Sequence, residues 1–273
     1  MKIINLIENT EGSSGCASEH GLSFYIETEN HKLVMDTGAT AAFIHNAEIL
    51  GVDLKAVDTV ILSHGHYDHG GGLPAFVKIN SEAKIYIRRT AFGNFYHKGH
   101  KNERYIGIAP EIREEPQVVF VDGNLKIDDE LFLFTNVTGR RLWPSGNRSL
   151  KCKVGETYIQ DDFSHEQYLV VGRGEKEVLV SGCAHNGILN ILDTYKALRN
   201  REPYAVISGF HMMQHHGYSK DSLAVIRETA KALKQWKSRF YTGHCTDQVP
   251  YETMKEIMGD QLTYVHSGDI IEL

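Results

Sequence analysis

No stretch of this chain approaches about eighteen uncharged apolar residues, so the sequence offers no membrane-spanning helix. Met1 to Asn9 lacks the apolar run of a secretory signal and already carries Glu8, which points to a cytoplasmic protein. Cysteine is scarce. Cys16, Cys152, Cys183 and Cys245 form no C-x-x-C pair and no dense framework, which excludes a disulfide-stapled fold and suits a compartment that keeps thiols reduced. The sequence contains no repeat of roughly twenty to fifty residues and no low-complexity tract, so solenoids and disordered tails are excluded. A formal charge of -6 argues against a general nucleic-acid binder.

What is present suits a soluble globular protein: 41% apolar residues and 25 glycines in 273 residues leave ample material for a core. Short β-branched and aromatic runs read as strands at Lys2 to Ile7, Leu22 to Thr28, Leu33 to Met35, Thr59 to Leu62 and Lys84 to Ile87. Helical spacing appears over Ala41 to Leu50 and after Gly72, where Pro74 sits in the first turn. The alternation resumes with strands at Tyr168 to Val171, Val178 to Val180, Ala205 to Ile207, near Phe240 and at Leu262 to Val265. Helices lie between them over about Ile188 to Leu198 and through Leu223, Ile226, Ala230 and Leu233.

The middle, Arg88 to Lys153, is less regular, with strands at Val118 to Val121 and Leu131 to Phe134 and a turn-rich Trp143 to Asn147. It reads as an insertion or cap on a single domain spanning residues 1 to 273. This segment holds twelve Lys and Arg against eight Asp and Glu, in a chain that is otherwise acidic. Its rings Phe92, Phe95, Tyr96, Tyr105 and Trp143 are interleaved with His97, Lys98, His100, Lys101, Arg140 and Arg141. Cations and rings in this mixture suit an anionic small molecule, such as a phosphorylated one with a flat heterocycle, and also suit an ordinary solvated loop with a small core of its own.

The chemistry is concentrated in His64-Gly65-His66-Tyr67-Asp68-His69, directly after the strand Thr59 to Leu62. Residues two apart at a strand end point the same way, so His64 and His66 can offer imidazoles to one metal. Asp68 and His69 lie past the turn and can reach a second metal, a hard oxygen beside a borderline nitrogen that suits zinc, iron or manganese.

With this H-x-H-x-D-H motif the chain resembles the metallo-β-lactamase superfamily. The resemblance implies an α/β fold, the four-layered αβ/βα sandwich, with a site at one edge of the sheets and two divalent ions, most typically zinc, with iron, manganese or magnesium as alternatives. It carries over Asp36, in Met35-Asp36-Thr37-Gly38, as the aspartate that hydrogen-bonds the ligand loop, and His185, in Gly182-Cys183-Ala184-His185, as the third histidine of the first site. It makes His244, in Gly243-His244-Cys245-Thr246, the last ligand of the second site. One metal is then held by His64, His66 and His185, the other by Asp68, His69 and His244, with Asp68 also catalytic.

One departure stands out. The family's bridging aspartate would fall at Phe210 or His211, neither of which can bridge as a carboxylate, so His211 is a second-tier candidate. A different register puts Cys183 at the bridging place as a thiolate and moves the third histidine to His165. The motifs Glu166-Gln167, Gly-Cys-Ala-His, Gly-Phe-His and Thr-Gly-His-Cys are similar to a narrower branch, which holds dihydropterin-ribofuranosylaminobenzene phosphate synthases and proteins known only as metal-dependent hydrolases. The resemblance implies a metal-activated water acting on a phosphorylated or ester-type small molecule. Alternatives are a synthase that joins a reduced pterin to a ribosylated aromatic amine with loss of pyrophosphate, and a metal-binding protein without turnover. Arg140 and Arg141 are the substrate-binding candidates.

Overall fold

The computed structural model describes residues 1–12, 15–99, 102–214 and 217–273. His100 and Lys101 lie outside the described residues. Among these residues two seven-stranded sheets stand face to face. The first runs in the order Ile270–Glu272, Lys2–Ile7, Ser23–Glu27, Lys32–Met35, Thr59–Ile61, Lys84–Arg88 and Val118–Val121. The second runs Leu262–Tyr264, Arg239–Thr242, Ala205–Ile207, Val178–Val180, Gln167–Val171, Leu131–Thr135 and Leu125–Lys126.

Strict alternation along each strand sorts its side chains into two cores. Leu33 and Met35 point between the sheets, where they share a core with Phe24, Ile61, Leu133, Leu169, Val180 and Ile207. Val34 points outward and packs with Val60 and Ile85 under Phe43 of the helix Ala42–Ile49 and Phe76 of the helix Leu73–Ile79. On the far side Val170, Leu179, Val206 and Phe240 meet Leu189, Ile226, Leu233 and Met254 from the helices Ile188–Arg199, Lys220–Leu233 and Gln248–Met258. The layers are therefore helix, sheet, sheet, helix, the sandwich the motif implies. Strands covered on both faces must be apolar throughout, which is why their sequences read as continuous runs.

The chemistry-bearing loops leave the carboxyl ends of parallel strands, where ligands collect in α/β sheets. The stretch His64 to His69 follows Thr59–Ile61, and Asp36 follows its parallel neighbour Lys32–Met35. On the other sheet Cys183 and His185 follow Val178–Val180, His211 follows Ala205–Ile207, and His244 follows Arg239–Thr242, all three strands being parallel. Both sheets thus deliver donors to one shared edge.

The middle segment is divided between core and accessory structure. Val118–Val121 pairs with Lys84–Arg88 and Leu131–Thr135 with Gln167–Val171, so both belong to the large sheets. The accessory part is a four-stranded sheet ordered Thr157–Gln160, Leu150–Val154, Phe95–Lys98 and Glu103–Tyr105. Its apolar face, Phe95, Ile106 and Leu150 with Phe163, turns toward the loops that carry the histidines. No helix among the described residues is long and apolar enough to cross a membrane.

Candidate metal centre

Each of four histidines has its Nδ1 tied to an oxygen, which decides where its lone pair goes. His69 Nδ1 lies 2.6 Å from Asp36 Oδ2 and donates to it. Ser63 Oγ gives its only proton to Asp36 Oδ2 at 2.7 Å, so His64 Nδ1, 2.8 Å from that hydroxyl, must be the donor. His185 Nδ1 donates to Asn147 Oδ1 at 2.9 Å, the amide being oriented by its Nδ2 donating to the His185 carbonyl at 2.7 Å. His244 Nδ1 donates to Asn9 Oδ1 at 2.8 Å.

The four Nε2 atoms are left to face one another. His64 Nε2 and His185 Nε2 stand 3.3 Å apart, two lone pairs with no proton between them. His69 Nε2 lies 3.1 Å from Cys183 Sγ, and His244 Nε2, which has no hydrogen-bond partner among the described residues, lies 3.4 Å from Asp68 Oδ2. Such an arrangement is costly without a cation, because buried polar atoms aimed at each other lose their water and gain nothing. Donor atoms within 4.8 Å of one another form two overlapping groups, Asp68, His69, Cys183 and His244 in one and His64, Cys183 and His185 in the other. Cys183 is common to both.

Electrostatics agree with a cationic occupant. Burial, followed by repulsion from neighbouring imidazoles, holds His64 and His185 well below the usual histidine range and His66 at about 3, so all three are neutral, as ligands must be. Burial works against a charged His69, yet the carboxylates of Asp36 and Asp68 overcome it and lift the group to about 9, so without an ion its Nε2 carries a proton that a bound cation would displace. Burial likewise opposes ionisation of Asp68, but His69 and His244 hold it well below the usual carboxylate range. Glu8, Asp36 and Asp68 are all buried, and none forms an ion pair with Lys or Arg among the described residues. Their positive partners are imidazoles, His69 above all, and a cation bound among the donors would take over that role.

Close backbone approach and local strain hold the loops in place. A Cβ on Gly182 would strike Ser63 Oγ, so only glycine lets the Cys183 strand end reach the His64 loop. Asp36, Ala184, His211 and His244 adopt φ of 61, 56, 48 and 50°, the left-handed region that non-glycine residues seldom enter.

Every sequence-level candidate in the motifs reaches this edge, though not all in the same role. The His66 ring stands 4.6 Å from that of His64 and 4.9 Å from that of His185, centre to centre, but its Nε2 lies on the side of Asp161 and His165. His165 cannot be the third histidine of the alternative register, since its Nδ1 accepts the Gly65 N–H at 3.0 Å and its Nε2 lies 3.1 Å from Asp161 Oδ2. It is His185 whose Nε2 stands beside that of His64, at 3.3 Å, while Cys183 belongs to both donor groups. The His211 ring packs 4.1 Å from that of His185, its backbone N–H meets Cys245 Sγ at 3.3 Å, and it joins Cys183 and Cys245 in a further donor group.

Arg140 and Arg141 diverge. Arg140 donates to the Gly139 carbonyl, Asn186 Oδ1 and the Asp162 carbonyl at 2.8 to 3.1 Å, beside the residue that follows His185. Arg141 pairs with Asp193 at 3.1 Å. Of the rings, Phe95 and Trp143 fill the accessory core, and Tyr96 and Tyr105 pack on each other.

Of three further supports, only Glu166 lies in a motif read from the sequence. Glu8 Oε2 accepts the His244 N–H at 3.0 Å, Glu166 accepts the N–H groups of His185 and Asn186 at 2.6 and 2.9 Å, and half-exposed His20 stands 3.4 Å from Asp68 Oδ2. A charged residue ending the buried run Ile3 to Ile7 is the one available signal for Glu8.

Comparison with known proteins places this geometry. A family profile described as "Metallo-beta-lactamase superfamily" matches residues 19–156. The 7,8-dihydropterin-6-methyl-4-(beta-D-ribofuranosyl)-aminobenzene-5'-phosphate synthase of Methanocaldococcus jannaschii is 29% identical, over 100% of this chain and 96% of its own. An uncharacterized protein of the same organism is 27% identical, over 97% and 98%. A crystal structure described as a metal-dependent hydrolase of the beta-lactamase superfamily superposes with a TM-score of 0.83 at 28% identity, covering 100% of this chain and 99% of that one.

Proposed function

The chain belongs to the metallo-β-lactamase superfamily, and from that premise we propose that it is a metal-dependent hydrolase with a dinuclear centre acting on a phosphorylated or ester-type small molecule. One observation carries this proposal: four imidazoles with their Nδ1 atoms anchored turn their Nε2 lone pairs toward one another, Asp68 and Cys183. His64, His66 and His185 would hold one ion, Asp68, His69 and His244 the other, and Cys183 would bridge them in place of the absent aspartate. Zinc suits this mixture of nitrogen, oxygen and sulfur. Two divalent ions there would supply Lewis-acid polarisation of the scissile oxygen and lower the pKa of a bound water.

The chain's own residues do the rest. Asp68, ionised throughout the neutral range, accepts a hydrogen bond from the attacking water through Oδ2 and orients it toward substrate. Its low pKa makes it an orienting group rather than a store for the proton. Phe163, stacked on His185 with ring centres 4.4 Å apart, and Phe95 exclude water from one side of the centre.

A second activity is supported by the Methanocaldococcus synthase, alike over the full length of the chain. In that case two substrates are joined with loss of pyrophosphate, and the same donors would serve the departing phosphates. A screen of metal-loaded protein against phosphodiesters, lactones and a pterin pyrophosphate with a ribosylated arylamine separates the two. Turnover of a single ester supports the hydrolase, pyrophosphate release that needs both substrates supports the synthase, and stoichiometric metal without either outcome leaves a binding protein.

Anionic substrate would meet Arg140 rather than Arg141. Arg140 spends its donors on neutral oxygens, so its charge stays available, whereas that of Arg141 is matched by Asp193. Arg140→Glu should raise KM for a phosphorylated substrate several-fold with kcat and metal content little changed, and Arg141→Glu should leave KM within about twofold. Equal effects of the two, or equal preference for the dephosphorylated compound, would count against this assignment.

A further inference from the structure

Glu166 is almost fully buried, and the groups that donate hydrogen bonds to it among the described residues are all neutral. The His185 N–H meets Oε1 at 2.6 Å, while the Asn186 N–H, Asn186 Nδ2 and the Tyr168 hydroxyl meet Oε2 at 2.9, 2.8 and 2.7 Å. These contacts decide which way the Asn186 amide faces. Besides Glu166, its Nδ2 has the Phe163 carbonyl at 3.1 Å and the Tyr168 oxygen at 3.0 Å, so acceptors enclose it. Reversing the amide would set its oxygen against the Glu166 carboxylate and the Phe163 carbonyl, so Oδ1 must point the other way.

What Oδ1 meets is Arg140, whose Nη1 donates to it at 3.0 Å. The other acceptors of this guanidinium are the backbone carbonyls of Gly139 at 2.8 Å and Asp162 at 3.1 Å, so Asn186 is the one side chain among the described residues that hydrogen-bonds it. The segment that carries Arg140 is pinned to the same turn. Asn190 Oδ1 accepts the Arg141 N–H at 3.0 Å, and Asn190 Nδ2 donates to the carbonyls of Arg141 and Asn186 at 3.1 and 2.8 Å. A Cβ on Gly139 would strike Asn190 Oδ1, so only glycine allows this approach. Further along the segment, Asn147 holds His185 Nδ1. An exposed arginine on a loop ordinarily samples many rotamers, whereas the planar fork of Arg140 is held before any ligand arrives.

We propose that Asn186 is a positioning residue that aims Arg140 at the anionic group of the substrate, with Glu166 fixing the amide that does so. This rests on the phosphorylated-substrate reading above. Through Oε1 the carboxylate of Glu166 holds the backbone of His185, and through Oε2 and Asn186 it holds the cation. One buried side chain thus sets a histidine of the metal centre and the anion-binding group in register. The choice of an amide at this position also matters for charge. A guanidinium held by neutral oxygens keeps its charge for phosphate, where a carboxylate at position 186 would cancel it as Asp193 does for Arg141.

The test uses full-length zinc-loaded protein at matched metal content, with inorganic phosphate as the probe and isothermal titration calorimetry as the readout. Asn186→Ala should weaken phosphate binding about 3–10-fold when Arg140 is present and less than about twofold in an Arg140→Ala background, the non-additivity expected of residues that act as a unit. Acetohydroxamic acid, a metal-binding probe without a phosphate, should keep its affinity within about twofold in Asn186→Ala, which a general loosening of the His185 loop would not allow. Arg140→Lys changes an exposed side chain and leaves the buried network alone; it keeps the charge but loses the fork, and should weaken phosphate at least about threefold. Unchanged phosphate affinity in Asn186→Ala, equal weakening with and without Arg140, equal loss of both probes, or parental affinity in Arg140→Lys overturns the proposal and leaves the reading of the site standing. Failure of the loaded parent to bind phosphate overturns both.

Discussion

Asp68→Asn in metal-loaded protein is expected to lower kcat at least about a hundredfold on whichever substrate the screen identifies, with the fold intact. The amide keeps the size of the side chain and one oxygen, so packing beside His20 and His244 survives. What it loses is the charge that His69 and His244 stabilise and that a water would meet at Oδ2. The measurement is steady-state kinetics at metal content matched to the parent, because weaker metal retention alone would otherwise mimic the effect. Matched metal with near-normal kcat would remove Asp68 from the chemistry and leave it a ligand.

Cys183→Ala should weaken both ions together, where loss of any histidine ligand weakens mainly one. The thiol is 2% exposed, and its sulfur belongs to both donor groups. Burial drives its pKa well above the usual thiol value in the absence of a cation, so the thiolate forms only with one bound. Dialysis against a chelator followed by metal analysis should find both ions lost from Cys183→Ala under conditions that leave the parent loaded. Alanine fills the site well enough for the strand ends to stay packed. If metal content is unaffected by the change, Cys183 is merely a small buried side chain and the two ions are bridged by something else.

How far these features are legible in the sequence differs from one to the next for physical reasons. The strands Thr59–Ile61 and Val178–Val180 and the helix Lys220–Leu233 announce themselves because layered packing makes a doubly covered strand a short continuous apolar run and a half-buried helix a 3.6-residue pattern. His64 to His69 is equally legible, since ligands set by one strand end must lie close in sequence. The accessory sheet is not: Phe95–Lys98 and Leu150–Val154 pair across more than fifty residues, and their mixed, half-exposed faces lack clean alternation. For the same reason Val118–Val121 and Leu131–Thr135 read as parts of an insertion although they belong to the two large sheets.

The outer partners are least legible. Asn9 meets His244 across 235 positions and Asn147 meets His185 across 38, and a lone asparagine in a loop carries no local signal of the imidazole it will orient. Geometry also narrows what spacing leaves open. Two registers compete for the third histidine and the bridge, and the donor groups include His185 from one and Cys183 from the other, because both residues lie on the one loop that leaves the strand Val178–Val180.

The most direct measurement is metal stoichiometry by elemental analysis of the parent chain, His185→Ala and His244→Ala, each loaded with zinc and passed over a desalting column. Two anchored sets of donors predict about two ions per chain in the parent and about one in each variant. Equal metal content in all three proteins, or none in any, would contradict a dinuclear centre built on these histidines.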